Sequence, residues 1–363
     1  MNQDSKLFEP YSLGHMPVAN RIVMAPLTRN RALPGNIPGP LTVTYYTQRA
    51  SAGLIITEAA PVCPEGHGYP RTPGIHSDEQ IAGWRNVTDA VHAAGGHIYL
   101  QLWHVGRISH PSLQPDGVLP VAPSALRPAG QVWTGGGLED YPTPRALESN
   151  EIPGIVAAYR QAALNARAAG FDGVEIHGAN GYLLDQFLRS STNLRTDDYG
   201  GTLEKRARLM LEVVEAVCDA IGSDRVGIRL SPENRFNDIS DDDPQTTFEY
   251  VAKALNRFRL AYLRVLEGVV GVPSSAADVF DYKALRACFE GPYMANNGYD
   301  RQRAMDVIAS GSADLVAFGR HFISNPDLVA RLRAGAAIAE PDTKTLYTGE
   351  EHGYIDYPAL NPA

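Results

Sequence analysis

Short apolar runs recur along the chain, and five of them follow a helical stretch that closes on glycine. Gly53 precedes the run at 54–58, Gly95 and Gly96 the run at 97–102, Gly170 that at 173–177, Gly222 that at 226–230, and Gly311 that at 315–319. Glycine ends a helix because it enters the left-handed region without a Cβ clash. The repeating unit therefore reads as helix, stop, buried strand. Further apolar runs at 22–24, 261–263 and 292–295 bring the count to eight, with strands beginning near residues 21, 54, 97, 173, 226, 260, 291 and 315. The segments between them have helical periodicity. Ser77 to Gln80 is a capping box ahead of Ile81, Trp84, Val87 and Val91, and Thr202 opens a helix with Leu203, Ala207, Met210, Leu211, Val214, Val217 and Ile221 on one face. Eight buried strands alternating with helices predict an α/β fold, a (β/α)8 TIM barrel preceded by an N-terminal hairpin. An open doubly wound sheet is the alternative, but no G-x-G-x-x-G follows a first strand and no P-loop is present.

The third strand interval is about one repeat too long, which places an excursion at about residues 105–150. No linker or low-complexity tract divides the chain, so residues 1–363 are expected to form one barrel domain carrying that insertion. Glycine and proline together make up roughly 17% of the chain, against about 12% ordinarily. Their surplus falls in 31–40, 64–74 and 105–150, after strands one, two and three.

A formal net charge of −9 argues against a nucleic-acid partner. No signal peptide and no apolar run of membrane-spanning length is seen, and the three cysteines form no disulfide framework or C-x-x-C site, so a cytoplasmic protein, monomeric or homodimeric, is expected.

Barrel active sites lie at the C-terminal ends of the strands. Polar residues stand there in six places: Thr28 and Arg29, Glu58, Gln101 and His104, His177 through Asn180 to Tyr182, Arg229 and Ser231, and Gly319-Arg320. No carboxylate pair supports glycosidase chemistry, and no serine has a nucleophile elbow. His104 and His177 lack ligand spacing, so no metal is expected. Asn297-Gly298 and Gly319-Arg320 suit a phosphate group after strands seven and eight.

Several motifs carry a resemblance. They are Pro26-Leu27-Thr28-Arg29, Tyr45-Tyr46 with Gln48-Arg49-Ala50-Ser51, Gln101-Leu102-Trp103-His104, Phe171 through Leu183, Asp197-Asp198-Tyr199-Gly200-Gly201, Gly319-Arg320, and Gly353-Tyr354 with Asp356-Tyr357-Pro358. The chain resembles the old yellow enzyme family of FMN-dependent ene-reductases, from Leu7 to about Leu360. Thr28 in place of cysteine and Asn180 in place of histidine favour a Thr-containing, microbial branch. The resemblance implies that Pro26, Thr28, Ala59, Gln101 and Arg229 meet the flavin ring, with Gly298, Gly319 and Arg320 on its phosphate. His177 and Asn180 would donate to the substrate oxygen, Tyr182 would protonate the α-carbon, and Trp103, Tyr69 and Tyr357 would wall the pocket. The implied activity is NAD(P)H-dependent reduction of an electron-poor alkene (enone, maleimide or nitroalkene), extending to nitro groups and nitrate esters. NADPH or NADH would be the reductant and FMN the tightly bound cofactor. Two other functions compete: a flavin-binding sensor or storage protein, and a phosphate-binding barrel without flavin, such as an aldolase or isomerase. No lysine at a strand mouth supports a Schiff base.

Overall fold

A computed structural model describes residues 5–269, 272–273 and 280–360. Eight parallel strands close into a barrel in chain order: β1 (Ile22–Met24), β2 (Leu54–Pro61), β3 (Ile98–Trp103), β4 (Gly173–His177), β5 (Val226–Leu230), β6 (Tyr262–Leu266), β7 (Tyr293–Asn296) and β8 (Leu315–Phe318). Each begins within two residues of the position expected from the sequence. Strand β8 pairs with β1, so the sheet has no edge. Every residue of these strands is buried, which is why they read as continuous apolar runs and not as alternating ones.

Helices lie between the strands, α1 (Pro40–Thr47), α2 (Asp78–Ala93), α3 (Ile152–Ala168), α4 (Leu183–Leu188), α5 (Leu203–Ile221), α6 (Pro244–Leu255), α7 (Tyr282–Cys288) and α8 (Arg301–Ala309), and two more follow β8, α9 (Arg320–Ser324) and α10 (Leu328–Ala334). Ser77 and Gln80 cap α2 reciprocally, as their spacing predicts. In α5, Ala207, Met210, Val214 and Val217 are buried on the face toward the barrel core. The expected hairpin pairs Tyr11–Leu13 with Met16–Val18. Its Leu13, Met16 and Val18 pack with Val23, Leu54, Tyr99, Tyr262 and Leu315 and plug the barrel interior.

The glycine rule holds in four of its five places. Gly95, Gly170, Gly222 and Gly311 have φ between +73° and +89°. Gly53 does not; a Cβ there would lie 2.1 Å from the carbonyl oxygen of Asn20, so close backbone approach is what demands glycine. The excursion after β3 contains two small pairings, Val121–Ala122 with Arg145–Ala146 and the hairpin Gln131–Trp133 with Leu138–Asp140. The acidic stretch 238–243 is a largely exposed loop that leads into α6, and several bonds hold it. Arg107 donates to the carbonyls of Asn237 and Asp238, Asp241 accepts from Ser190 N and Thr247 Oγ1, and Asp243 caps α6.

Candidate active site

Parallel strands bring all eight C-terminal ends to one mouth, and the register sets neighbours there. Ala59 on β2 lies beside Gln101 on β3, and His177 on β4 beside Arg229 on β5. Two residues deeper, the barrel interior is polar. Gln101 Nε2 donates to Glu175 at 2.7 Å, Glu175 takes two bonds from Arg264 at 2.5 and 2.8 Å, and Arg264 donates to Asn296 Oδ1 at 2.9 Å. Glu175 and Arg264 are fully buried. A buried charge persists only when paired and bonded, and this chain of partners supplies both. It leaves Gln101 Oε1 free to accept.

Above this layer stand the residues expected to handle substrate. His177 is buried, and burial, together with the nearby Arg229 and Arg264 cations, holds its imidazole well below the ordinary value. The ring is thus neutral and has one N–H to give. Asn180 adopts φ +59°, in the left-handed region that asparagine tolerates better than most residues. Three bonds hold it there: its N–H donates to Ser231 Oγ at 2.8 Å, its carbonyl accepts from Asn237 Nδ2 at 2.8 Å, and its Oδ1 accepts from Asn234 Nδ2 at 3.1 Å. With Oδ1 occupied, the group that remains available is the Nδ2 donor.

Tyr182 stands at the N-cap position of α4 and is buried; its hydroxyl lies 3.2 Å from that of Tyr69, with the Asn237 side chain near enough to affect its pKa. Burial raises its pKa, so the phenol stays protonated at neutral pH. The rings of Trp103, Tyr69, His177 and Tyr182 form one cluster. Trp103 stacks on Tyr69 (5.7 Å, 10°) and meets Tyr182 edge-on (4.9 Å, 88°), while His177 meets Tyr182 edge-on at 5.0 Å.

The other expected residues are placed as follows. Half-buried Pro26 and Thr28 follow β1, and Ala59 packs against Trp103 and Tyr182. Gly298, at φ +61°, follows β7, and Gly319 and Arg320 follow β8 directly. The Arg320 side chain is exposed and donates to Glu340 at 2.9 Å, so its guanidinium is already engaged. Tyr357 is not brought to the cluster: its hydroxyl accepts from Asp342 N at 2.9 Å, and it makes no ring contact with Trp103, Tyr69 or Tyr182 among the described residues. The C-terminal aromatic that stands by the site is Tyr347, close enough to raise the pKa of both Tyr69 and Tyr182.

Sequence reasoning missed Tyr347, Asn234, Asn237, Glu175 and Arg264. For the last two a signal was present, since a lone charge interrupts an apolar run in Val174-Glu175-Ile176 and Leu263-Arg264-Val265. For the asparagines and Tyr347 none was, because their loops reach the site only through folding.

Buried polar atoms without partners gather at this mouth: Arg229 Nε, His177 Nδ1 and Trp103 Nε1. Such groups are ordinarily bonded, so they mark a place for a ligand rich in acceptors. Burial and the neighbouring Arg264 pull Arg229 down to about 9, so it keeps its charge at neutral pH, and an anionic or electron-rich partner would raise it again.

A closed (β/α)8 barrel whose mouth holds neutral N–H donors, a protonated phenol and a buried guanidinium has groups suited to hydrogen-bonding a ligand oxygen and to holding a proton beside it. The chain belongs to the old yellow enzyme family, since residues 6–338 match the profile of the NADH:flavin oxidoreductase / NADH oxidase family. It is 46% identical over 359 residues to a probable flavin mononucleotide-dependent alkene reductase of Leishmania infantum, covering 98% of this chain and 97% of that one. It is 44% identical over 380 residues to 12-oxophytodienoate reductase 7 of Oryza sativa subsp. japonica, covering 99% and 95%. Among solved structures, morphinone reductase in complex with tetrahydroNAD superposes with a TM-score of 0.93 at 51% identity, covering 99% of this chain and 98% of that one. The old yellow enzyme homologue from Zymomonas mobilis gives 0.93 at 43% identity, covering 98% and 100%. No helix among the described residues is long and apolar enough to cross a membrane.

Proposed function

We propose that the protein is an FMN-dependent, NAD(P)H-driven reductase of activated alkenes such as enones, maleimides and nitroalkenes. The observation that carries this reading is the fixed donor pair beside a phenol: neutral His177, Asn180 with only its Nδ2 left to donate, and protonated Tyr182. The unpartnered Nε of Arg229 fits a flavin, whose pyrimidine edge gathers negative charge on reduction. Pro26, Thr28, Ala59, Gln101 and Arg229 would hold its ring, and Gly298, Gly319 and Arg320 its phosphate. The bound flavin supplies hydride to the β-carbon of the alkene.

His177 and Asn180 each donate to the carbonyl or nitro oxygen, where negative charge builds in the transition state; preorganised donors of this kind contribute more than the same groups in water. Tyr182 gives its proton to the α-carbon, and Tyr69 and Asn237 orient its hydroxyl. Trp103, Tyr69 and Tyr347 bound the space over which a flat, conjugated substrate would lie. NADH and NADPH are both candidate reductants.

A spectrum of the purified protein followed by anaerobic NADPH or NADH and then cyclohexenone tests this. A yellow protein is expected, bleached by the nicotinamide and restored by the enone. A colourless protein that takes up no FMN would refute the reading. Bleaching that no enone reverses would point instead to sensing or storage. Combining His177→Ala with Asn180→Ala should weaken phenol binding and remove its long-wavelength charge-transfer band; an unchanged band would rule out the donor assignment.

A further inference from the structure

Outside the site, the segment between β2 and α2 holds two histidines nine residues apart, His67 and His76. Their Nε2 atoms face each other at 3.2 Å, with ring planes at 86°. His67 is buried and His76 half-buried. A cavity of about 350 Å³ opens beside them, lined by polar groups including Asn36, Gln80, Ser112 and Gln114.

We propose that His67 and His76 form a two-histidine site for a divalent transition-metal ion, with the remaining ligand positions open to the cavity. Three features support it. First, bonds of about 2.0–2.1 Å from one ion to two nitrogens 3.2 Å apart subtend roughly 100–106°, close to the tetrahedral angle, so the spacing of the two nitrogens already suits one ion. Second, His67 can present a lone pair at Nε2 if its Nδ1–H turns to Thr72, giving up only the long 3.5 Å contact from the Asn36 amide nitrogen. Its Nδ1 lies 3.3 Å from Thr72 Oγ1, whose own proton goes to the Tyr69 carbonyl, leaving an oxygen lone pair to accept from Nδ1–H. Outer partners of this type fix the tautomer of metal-bound histidine. Third, burial lowers the His76 pKa and so keeps its ring neutral for binding, while the Glu65 carboxylate acts in the opposite direction and would favour a cation.

The Gln80 amide nitrogen lies 3.4 Å from His76 Nε2 and is also bonded to the Gly35 carbonyl. It has no lone pair for the ion and stays on that carbonyl. Imidazole donors select zinc, copper or nickel over magnesium or calcium. Among the described residues no third histidine, cysteine or carboxylate completes a protein cage, so the ion keeps water ligands and exchanges with solvent. Bound, it would tie His67, two residues before Tyr69, to the residue preceding the α2 cap.

The test uses the flavin-loaded protein treated with a chelator and desalted. Titration with Zn2+ by calorimetry should show one site per chain, and Cu2+ should give an electron-paramagnetic-resonance signal split by imidazole nitrogens. His67→Gln and His76→Gln should each weaken Zn2+ at least tenfold, Thr72→Val should weaken it to a lesser degree, and His352→Gln, at an exposed i,i+4 pair with Asp356, should leave it unchanged. His76→Gln alters only a half-buried side chain, so it serves if His67→Gln fails to fold. Absence of Zn2+ uptake, uptake unaffected by His76→Gln, or uptake abolished by His352→Gln would each overturn the site and leave the pair as a shared-proton hydrogen bond.

Discussion

Glu58 shows how far a side chain's chemistry can depart from its type. It lies wholly buried in β2, where burial pushes its carboxyl up to about 7 despite the downward pull of the Arg29 and Asn30 amides and the Arg29 and Arg31 guanidinium groups. A carboxyl raised in the folded state binds protons there that the unfolded chain has already released, so stability falls as pH climbs from the unfolded value toward about 7. Glu58→Gln should flatten that slope, making the variant more stable than the parent at pH 8 by up to about 3 kcal/mol and similar to it near pH 4. Denaturant curves at the two pH values check this, and parallel curves would contradict it. Tyr182→Phe should slow alkene reduction by about 10²–10⁴ while flavin reduction by the nicotinamide keeps its rate, as followed by stopped-flow absorbance; equal slowing of both would count against the proton donor. Glu58 and Tyr182 were both legible in sequence as polar groups at strand ends. Their protonation was not, because it depends on neighbours drawn from the segments after β1 and β2 and the loop after β5.

At the scale of elements, the C-terminal segment is a strap and not a tail. Arg31 donates to the carbonyls of Thr345, Leu346, Thr348, Glu350 and His352, and Arg29 to those of Leu346 and Gly353. Two arginines after β1 therefore set the path of the segment that carries Tyr347. Arg31→Ala leaves these carbonyls unpaired and should raise hydrogen exchange across 345–353, with KM for the alkene rising more than kcat falls. Unchanged exchange in that segment would show that other contacts hold the strap. The helices and strands themselves were readable from period and glycine stops, whereas this strap was not. Its bonds run from side chain to backbone across more than 310 residues, and no local pattern records them. Tyr347 and Tyr357 lie in that same segment, and its path brings Tyr347 near enough to Tyr69 and Tyr182 to raise their pKa values while Tyr357 bonds to Asp342.

For the whole molecule, the barrel must close around a polar layer as well as an apolar one. Glu175 and Arg264 neutralise each other inside it, with Gln101 and Asn296 taking the remaining bonds. Arg264→Met strands a buried carboxylate and should cost about 3–5 kcal/mol of stability, whereas Glu175→Leu with Arg264→Met should recover most of it, because a buried pair is seldom worth more than a good apolar replacement. Thermal unfolding of the three proteins separates these cases; a double variant no better than the single would show that the pair itself stabilises the barrel. The sequence by itself determined the eight strands, their order, the hairpin, the excursion and the family, because these rest on local periodicity, on glycine stops and on contiguous motifs. Only the tertiary structure decided which amide nitrogen of the mouth is free, which phenols touch and that His67 faces His76. Each of those is a contact a few ångströms long between segments far apart in the chain, created by closing the barrel and not encoded at either residue alone.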